Sequence, residues 1–261
     1  MFSKQNRKPA AKTSWERHGK WYSKVVEESG SYQKEVILPG VLTLLDLHKG
    51  EDILDIGCGE GFFAREFHKL GGNVLGVDAS PELIAIAKKK SPSEALYKVA
   101  DAANLSFLNV GAFDAEVMIL SLQNMERMDA VLKEARRVLG NHGRLVIVLN
   151  HPTFRIPKLS AWGWDEAQKL QYRRMNAYMS ELKVPIEMHP GAQQKEVTWS
   201  FHRPLQSYVK ALRNAGFAVT DCQEWISHKV SERGPRAKAE DRARKEIPLF
   251  LAIKAEPLAI K

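Results

Sequence analysis

The sequence predicts a doubly wound α/β fold, in which helices cover both faces of a mostly parallel sheet. Short apolar runs alternate with segments of helical periodicity along most of the 261 residues. The first apolar run, 53–56, stops in a loop with glycine at every second position, and the next run, 74–77, ends in Asp78. Because 44% of the residues are hydrophobic, the chain can bury the core that one such domain needs.

The first two predicted strands are joined by a helix. Strand one is predicted over 52–56 and strand two over 73–77, and the helix between them stops at Gly71. The buried face of this helix comprises Phe62, Phe63, Phe67 and Leu70. After strand two, Ser80 is a predicted N-cap and Pro81 occupies the first turn of the next helix. This order of elements is typical of parallel strands linked by crossover helices.

Three further strands continue the alternation. A weak third strand is predicted over 97–100 and a strong fourth strand over 114–120. A helix follows, which Gly140 is predicted to end, and strand five is predicted over 144–149. The apolar face of this helix comprises Met128, Leu132, Ala135 and Leu139. The first five strands therefore form the expected centre of the sheet.

The C-terminal part adds the last two strands. A helix over 205–215 stops at Gly216, strand six is predicted over 217–225, and strand seven over 247–255. The segment between these two strands is long and basic, and its part over 234–246 is predicted to be helical. The sequence shows no internal repeat.

Residues 150–203 depart from the alternation and are predicted to be an insertion after strand five that caps the substrate. The segment contains four prolines and no rhythm of strand and helix. Its seven aromatic residues are Phe154, Trp162, Trp164, Tyr172, Tyr178, Trp199 and Phe201. Four other positions share a predicted helical face that packs inside this cap, namely Met175, Tyr178, Met179 and Leu182.

The glycine loop and the acid after strand two predict a nucleoside site. Glycine permits a close approach of the backbone to a ligand, so Gly57, Gly59 and Gly61 are the first candidate residues. A carboxylate at the end of strand two, about 20 residues past such a loop, can accept hydrogen bonds from ribose hydroxyls. The spacing is Asp-x-Gly-x-Gly-x-Gly from Asp55, and not the Gly-x-Gly-x-x-Gly that dinucleotides require.

This loop, followed by Asp78 and then by Asp101 in Val-Ala-Asp-Ala after strand three, resembles the motifs of class I S-adenosylmethionine-dependent methyltransferases. The closest resemblance is to their type 11-like group. It implies a Rossmann-like seven-stranded sheet with an antiparallel last strand, and S-adenosyl-L-methionine as the cofactor. The loop would hold the methionine end, Asp78 the ribose and Asp101 the adenine amino group.

The full set of implied cofactor contacts is Asp55, Gly57, Cys58, Gly59, Gly61, Asp78, Ala79, Asp101, Ala102 and Ser121. Each key position also has a purely structural interpretation. The glycines could form a tight turn between strand and helix, Asp78 could cap the next helix, and Asp101 could be an ordinary turn aspartate. Cys58 lies between two loop glycines and is interpreted as a small filler of space. The three motifs in their expected order favour the cofactor site.

The methyl acceptor is predicted to bind beyond the carboxyl ends of strands four and five. The predicted catalytic residues are His151, Tyr172 and His202, with His151 as the candidate general base. His151 could equally cap the end of its strand. Arg173, Arg174 and Arg203 are further candidates for the acceptor pocket, in which Arg173, Arg174 and His202 would tolerate an acidic group. The aromatic insertion favours a small, partly apolar acceptor. Direct in-line displacement needs no covalent enzyme residue, because the sulfonium methyl is already activated.

Charge and composition limit the remaining classes. The net charge is +8, of which 1–20 carries +5 and 227–246 carries +3. We expect 1–13 to be a disordered basic tail and 14–261 to be one domain, with 14–47 as a helical cover. The apolar runs are too short to cross a bilayer and no signal-peptide segment is present, so a cytoplasmic protein with no membrane partner is expected. The two cysteines predict neither a disulfide framework nor a zinc site.

Two alternative functions stay open. A nucleic-acid or protein methyltransferase could use the basic tail, but strand four is followed by Leu-Ser-Leu-Gln-Asn-Met and not by the Asn/Asp-Pro-Pro-aromatic of enzymes that methylate base amino groups. A nucleoside-binding protein without catalysis is the other alternative. No carboxylate cluster follows strand four, so we expect no metal requirement and activity in the presence of a chelator.

Overall fold

The computed structural model describes residues 28–187 and 197–259. The predicted tail, 1–13, and the predicted helical cover as far as residue 27 lie outside the described residues. The described part of the cover begins with a π-helical turn, Gln33–Ile37, that continues directly into helix α1 (Leu38–Leu45). Ile37 and three apolar residues of α1, Val41, Leu44 and Leu45, are buried in the core.

Eleven strands occur in the described residues. In chain order they are β1 (Asp52–Ile56), β2 (Asn73–Asp78), β3 (Leu96–Val99), β4 (Phe113–Ile119), β5 (Leu139–Asn150), β6 (Ser160–Asp165), β7 (Leu170–Met175), β8 (Leu182–Glu187), β9 (Val197–His202), β10 (Phe217–Trp225) and β11 (Phe250–Pro257). Seven of them form the central sheet, in the order β10-β11-β5-β4-β1-β2-β3. Strands β1 to β5 pair with one another in parallel, whereas β11 is antiparallel to both β5 and β10. The predicted sheet with its antiparallel last strand is therefore confirmed.

Helices cover both faces of this sheet. After α1 they are α2 (Phe62–Lys69), α3 (Pro81–Lys90), α4 (Met128–Val138), α5 (Leu205–Ala215) and α6 (Ala237–Glu246). One apolar core packs α1, α2 and α3 against one face, and a second packs α4 and α5 against the other. The Ser80 hydroxyl caps α3 by accepting from the amide of Leu83, and Gly216 ends α5 in the left-handed conformation, as the sequence predicts.

The insertion after β5 differs from its prediction. Instead of a helical face, it contains two β-hairpins, β6–β7 and β8–β9. Of the four residues assigned to that face, Met175 ends β7 and Leu182 begins β8. The helix prediction was wrong because these four residues have helical spacing in the sequence but belong to different elements. They lie at the end of β7, in the turn that follows and at the start of β8. The period of two in Trp162-Gly163-Trp164 is the relevant signal, since β-strands favour alternating aromatic residues.

Glu116 is the least expected residue of the core. It lies on β4 opposite Leu54 of β1 and Leu145 of β5, is fully buried, and neither carboxylate oxygen has a hydrogen-bond partner. Burial raises the pKa of this carboxyl well above its usual value, against a smaller opposing effect of Arg136. The folded protein therefore keeps Glu116 protonated at pH values at which the unfolded chain is ionised.

Replacing Glu116 by glutamine should remove a pH-dependent loss of stability. Because the pKa of Glu116 is raised in the folded state, the folded protein is most stable relative to the unfolded chain below the unfolded pKa of this residue. As the pH rises from there towards the folded pKa, the free energy of unfolding falls by about 1.4 kcal/mol per pH unit. We expect Glu116→Gln to match the native chain at pH 4 and to exceed it at pH 7 in urea unfolding. Glu232→Gln, at an exposed position, is the control. Parallel pH profiles for the native chain and Glu116→Gln would contradict this account.

Candidate functional site

A cleft of about 440 Å³ lies at the carboxyl ends of the parallel strands. One wall is formed by the ends of β1, β2 and β3, and the opposite wall by the hairpin β8–β9. The residues that line it are Gly57, Gly59, Val77, Asp78, Ala79, Leu83, Ala100, Asp101, Ala102, Ala103, Ile119, Leu120, Ser121, Asn124, Met125, Glu126, Arg127, Val131, Lys183, Thr198, Trp199 and Phe201. Its volume is that of a small-molecule site.

The glycine loop is held by the fold itself. The amides of Gly57 and Cys58 both donate to the carbonyl of Val77, at 2.8 and 3.1 Å. Gly57 has a φ of 77°, and a Cβ there would lie 2.5 Å from the Cβ of Ser121. At Gly61, where φ is 82°, a Cβ would lie 2.7 Å from the hydroxyl oxygen of Tyr97. Left-handed backbone and close neighbours thus require these two glycines whatever ligand the loop approaches.

Asp78 organises the loop from the end of β2. Its Oδ2 accepts from the Gly59 amide at 3.0 Å and its Oδ1 from the Ser80 amide at 2.9 Å. Burial raises the pKa of this carboxyl, while the backbone donors oppose the rise. Asp78 lines the cleft and also shapes the turn that leads into α3.

Asp101 lines the same cleft but is largely exposed. Its Oδ1 accepts from the Ala103 amide at 2.9 Å, which makes it a turn aspartate. Its Oδ2 forms an ion pair with Arg127, at the start of α4. Asp101 therefore has the contact of an ordinary turn aspartate. It also lines the cleft, at the end where the resemblance places the adenine.

Asp55 lies behind the loop and has an unsatisfied oxygen. The side chain is buried, and its Oδ2 has no hydrogen-bond partner. Burial, followed by the charge of Asp78, raises its pKa to about 8. Asp55, Cys58 and Phe63 are among the residues around a small cavity of about 30 Å³ at this point. A buried carboxylate without a donor fits a ligand that brings a positive group.

These features fit an adenosyl cofactor with a cationic amino-acid end. Asp55 and the loop would hold that end, Asp78 would accept from ribose hydroxyls, and Asp101 would face the adenine. The small residues Ala79 and Ala102 line the cleft beside the two carboxylates and leave room for a flat ring. Gly61 and Asp55 do not line the main cleft. Gly61 contributes to the shape of the glycine loop, and Asp55 lines the small cavity behind that loop.

Cofactor binding should release a proton from Asp55 near neutral pH. The pKa of about 8 keeps this carboxyl protonated in the free protein at pH 7, and a bound cation favours its ionised form. Affinity for S-adenosylhomocysteine should therefore rise with pH up to about 8. Calorimetry at pH 7 in two buffers of different ionisation enthalpy measures the released proton. Asp55→Asn should bind more weakly and without proton release; an unchanged release would show that another group supplies the proton.

The loop after β4 forms the floor of the cleft. The Ser121 hydroxyl donates to the carbonyl of Ile56 at 2.8 Å, which ties β4 to the end of β1. The Gln123 Oε1 accepts from the Asn150 amide at 2.8 Å, which ties the same loop to β5. Leu120 has a φ of 53°, a strained conformation for a leucine that the sequence did not reveal. This left-handed conformation turns the chain sharply after β4, and Ser121 and Asn124 then lie at the cleft.

The three predicted catalytic residues do not line this cleft. His151 is buried after β5, where its Nε2 lies 2.7 Å from Glu224 Oε1 and its Nδ1 accepts from the Thr153 amide. Burial lowers its pKa, against the opposing effect of Glu224. The ring therefore caps the strand end, which was the alternative interpretation.

Tyr172 and His202 are likewise held in the insertion. The Tyr172 ring lies against Gly163 of the paired strand, where a Cβ would be 2.3 Å from the ring. The Nε2 of His202 is 2.8 Å from the carbonyl of Tyr178. Arg173, a candidate for the acceptor pocket, donates to Ser160 Oγ and to the carbonyl of Phe154. These contacts give all three residues structural roles within the hairpins.

The hairpin wall contains cleft residues that the sequence analysis missed. Lys183 of β8 pairs in register with Phe201 of β9, and Trp199 and Thr198 complete the wall. The signal was the alternation Trp199-Ser200-Phe201, which puts both aromatic rings on one face of a strand. Because no strand was predicted there, Trp199 and Phe201 were counted only among the aromatic residues of the insertion.

No group of three or more histidine, cysteine, aspartate or glutamate side chains that could hold a metal occurs in 28–187 and 197–259. The expectation that chelators leave activity intact stays a prediction. In the same part of the chain, no helix is both long and apolar enough to cross a bilayer.

Comparison with known proteins finds a family whose model matches part of this chain. Residues 54–147 match the methyltransferase domain family. A solved structure of an S-adenosylmethionine-dependent methyltransferase from Mesorhizobium loti superposes with a TM-score of 0.67 at 25% identity, covering 83% of this chain and 95% of that one. The family match over 54–147 includes the glycine loop, Asp78 and Asp101.

Two curated relatives are similar over longer stretches. A ubiquinone biosynthesis O-methyltransferase from Xanthomonas oryzae is 28% identical over 156 residues, which is 59% of this chain and 64% of that protein. A malonyl-[acyl-carrier protein] O-methyltransferase from Hamiltonella defensa is 28% identical over 192 residues, which is 73% of this chain and 72% of the relative. The alignment thus spans 64% of the length of the first relative.

Proposed function

We propose, from the class I S-adenosylmethionine-dependent methyltransferase domain that this chain carries, that it transfers a methyl group to a small-molecule acceptor bound in the described cleft. The observation that carries the proposal is the pair of carboxylates at the glycine loop, Asp55, which is buried, and Asp78, which is half-buried at the cleft. Asp78 fixes the Gly59 amide, and Asp55 presents an oxygen without a donor. Both groups are placed for a nucleoside ligand with a cationic end.

The cofactor supplies an activated methyl group on a sulfonium. The contribution of the chain is to hold the acceptor in line with that methyl group, because correct alignment at about 3 Å can supply most of the rate enhancement. The floor residues Ser121 and Asn124 and the hairpin residue Thr198 offer polar atoms at the cleft. Trp199 and Phe201 form an aromatic wall on the other side of the cleft.

The acceptor atom in this proposal is an oxygen. Two relatives are named as O-methyltransferases, and their similarity to this chain supports the same chemistry here. An oxygen nucleophile that is already ionised requires positioning more than a general base. The ionisable residues that line the cleft in the described chain are Asp78, Asp101, Glu126, Arg127 and Lys183.

The test is methyl transfer from labelled cofactor into fractionated cell extract. The full chain is incubated with S-adenosylmethionine and either the fraction below about 1 kDa or total RNA, and product is identified by mass spectrometry. We expect a methyl ether or ester in the small-molecule fraction, unchanged by EDTA. Methylated RNA with unmodified small molecules would contradict the acceptor class, and loss of turnover in EDTA that magnesium restores would contradict metal independence.

A further inference from the structure

We infer that the hairpin β8–β9 forms a binding subsite for a planar, anionic acceptor, in which Trp199 and Phe201 contact the ring and Lys183 pairs with the acidic group. This inference rests on the proposed function and names the substrate class of the same cleft. None of these three residues belongs to the glycine loop or to the carboxylates that hold the cofactor.

The geometry of the wall supports stacking of a flat ligand. Trp199 and Phe201 lie two residues apart on β9, so their side chains leave the same face of the strand, and both line the cleft. Trp199 is 41% exposed although it is the largest residue of the wall. Its indole therefore offers open aromatic surface inside a concave site, which is where flat ligands bind best.

The wall is fixed to the floor by Arg203. This residue is buried, and its Nη2 donates to the carbonyls of Met125 and Glu126, both at 2.9 Å. Its guanidinium also lies 5.2 Å from the centre of the Phe201 ring. The hairpin and the loop after β4 are thus held together before any ligand arrives, and a preorganised site loses less entropy on binding.

Lys183 supplies the charge. Its ammonium lies 5.1 Å from the centre of the Trp199 ring and 5.4 Å from that of Phe201, so it sits at the aromatic surface itself. Its ionic partner is Glu126, at 3.1 Å, and both side chains are substantially exposed. An exposed pair of this kind stabilises little, so a ligand carboxylate can replace Glu126 at small cost.

The cleft is lined by three acids, Asp78, Asp101 and Glu126, and two cations, Arg127 and Lys183, and the acid paired with Lys183 is Glu126. The other acid near the mouth of the cleft, Asp101, is paired with Arg127. An acceptor with an acidic group would find Lys183 in place to receive it, and the same ammonium would keep an oxygen nucleophile ionised by favouring its anionic form. The aromatic rings then fix the plane in which that oxygen approaches the methyl group.

The experiment uses 2-naphthoate as the anionic planar probe, 2-naphthamide as its neutral isostere and cyclohexanecarboxylate as the non-planar anion. Each is titrated by calorimetry into the full chain saturated with S-adenosylhomocysteine, at low salt. We expect naphthoate to bind about tenfold more tightly than either control. Lys183→Met should abolish the preference for naphthoate over naphthamide, and Lys183→Arg should retain it. Trp199→Ala should weaken both naphthyl probes by about tenfold.

Lys69→Met is the matched control, because Lys69 forms a similar exposed pair with Glu66 on α2, away from the cleft. It should leave every affinity unchanged. Equal binding of naphthoate and naphthamide, a preference that survives in Lys183→Met, or no binding of naphthoate to the saturated chain would each overturn the inference. If S-adenosylhomocysteine itself does not bind, the proposed function fails; if it binds normally while the probes do not discriminate, only the acceptor subsite fails.

Discussion

Asp78→Ala is expected to weaken S-adenosylhomocysteine binding by about 100-fold or more. The native carboxylate accepts from the Gly59 and Ser80 amides and remains available to the ribose at the cleft. Hydrogen bonds to a charged group contribute about 1.5–3 kcal/mol each, and 1.4 kcal/mol changes a dissociation constant tenfold. Asp78→Ala removes the expected ribose contacts and also the hydrogen bond that holds the Gly59 amide. The loss of binding free energy should therefore be larger than that of one ordinary hydrogen bond. Calorimetric titration measures the change.

Two variants separate ligand contact from loop geometry. Asp78→Asn keeps one oxygen for the Ser80 amide but replaces the acceptor at Gly59 by a donor, so we expect an intermediate affinity. Asp101→Ala should have a smaller effect than Asp78→Ala, because Asp101 is largely exposed and already paired with Arg127. Native affinity in Asp78→Ala would show that the ribose is not bound at the end of β2.

Gly57→Ala is expected to be the most destabilising single-methyl change in the glycine loop. The added Cβ would lie 2.5 Å from the Cβ of Ser121 at a φ of 77°, so steric overlap and backbone strain combine. Together they should cost about 2–4 kcal/mol in the free energy of unfolding, measured with urea. Cofactor binding should fall as well, because any shift of Ser121 or of the loop disturbs the cleft.

Gly50 provides the matched control for Gly57→Ala. It also has a left-handed φ, of 90°, but a Cβ there would meet nothing within 4 Å. Gly50→Ala should therefore cost only the strain, about 1 kcal/mol. The double variant Gly57→Ala with Ser121→Gly should recover part of the lost stability by removing the overlap. Equal costs at the two glycines would show that Ser121 does not restrict position 57.

Much of the fold could be predicted from the sequence because the parallel strands are continuous apolar runs between strong stop signals. Strand β1 has the predicted bounds, and so does β10. The start of β5 was placed five residues late, because Gly140 was interpreted as the end of a helix. In the structure α4 ends at Val138, and Leu139 already pairs with Phe113 across an irregular register. Such pairing depends on a distant strand and leaves no local trace.

More of the predicted cofactor residues than of the predicted catalytic residues line the cleft. The glycines and acids follow directly from strand ends, and the carboxyl ends of parallel strands meet at one edge. His151 was chosen because it follows strand five, and Tyr172 and His202 because they lie in the insertion, but the acceptor wall belongs to hairpins whose pairing was not predicted. The contact of Lys183 with Trp199 depends on the register of β8 with β9 and could not be derived before that register was known.

The most direct test of the whole account is a crystal structure of the full chain with S-adenosylhomocysteine. The account predicts ribose hydroxyls within hydrogen-bonding distance of the Asp78 carboxylate, the amino group towards Asp55, and the sulfur facing the space between Ser121 and Trp199. Crystals that hold the compound at another place, or that remain empty at concentrations well above those that saturate related enzymes, would contradict it.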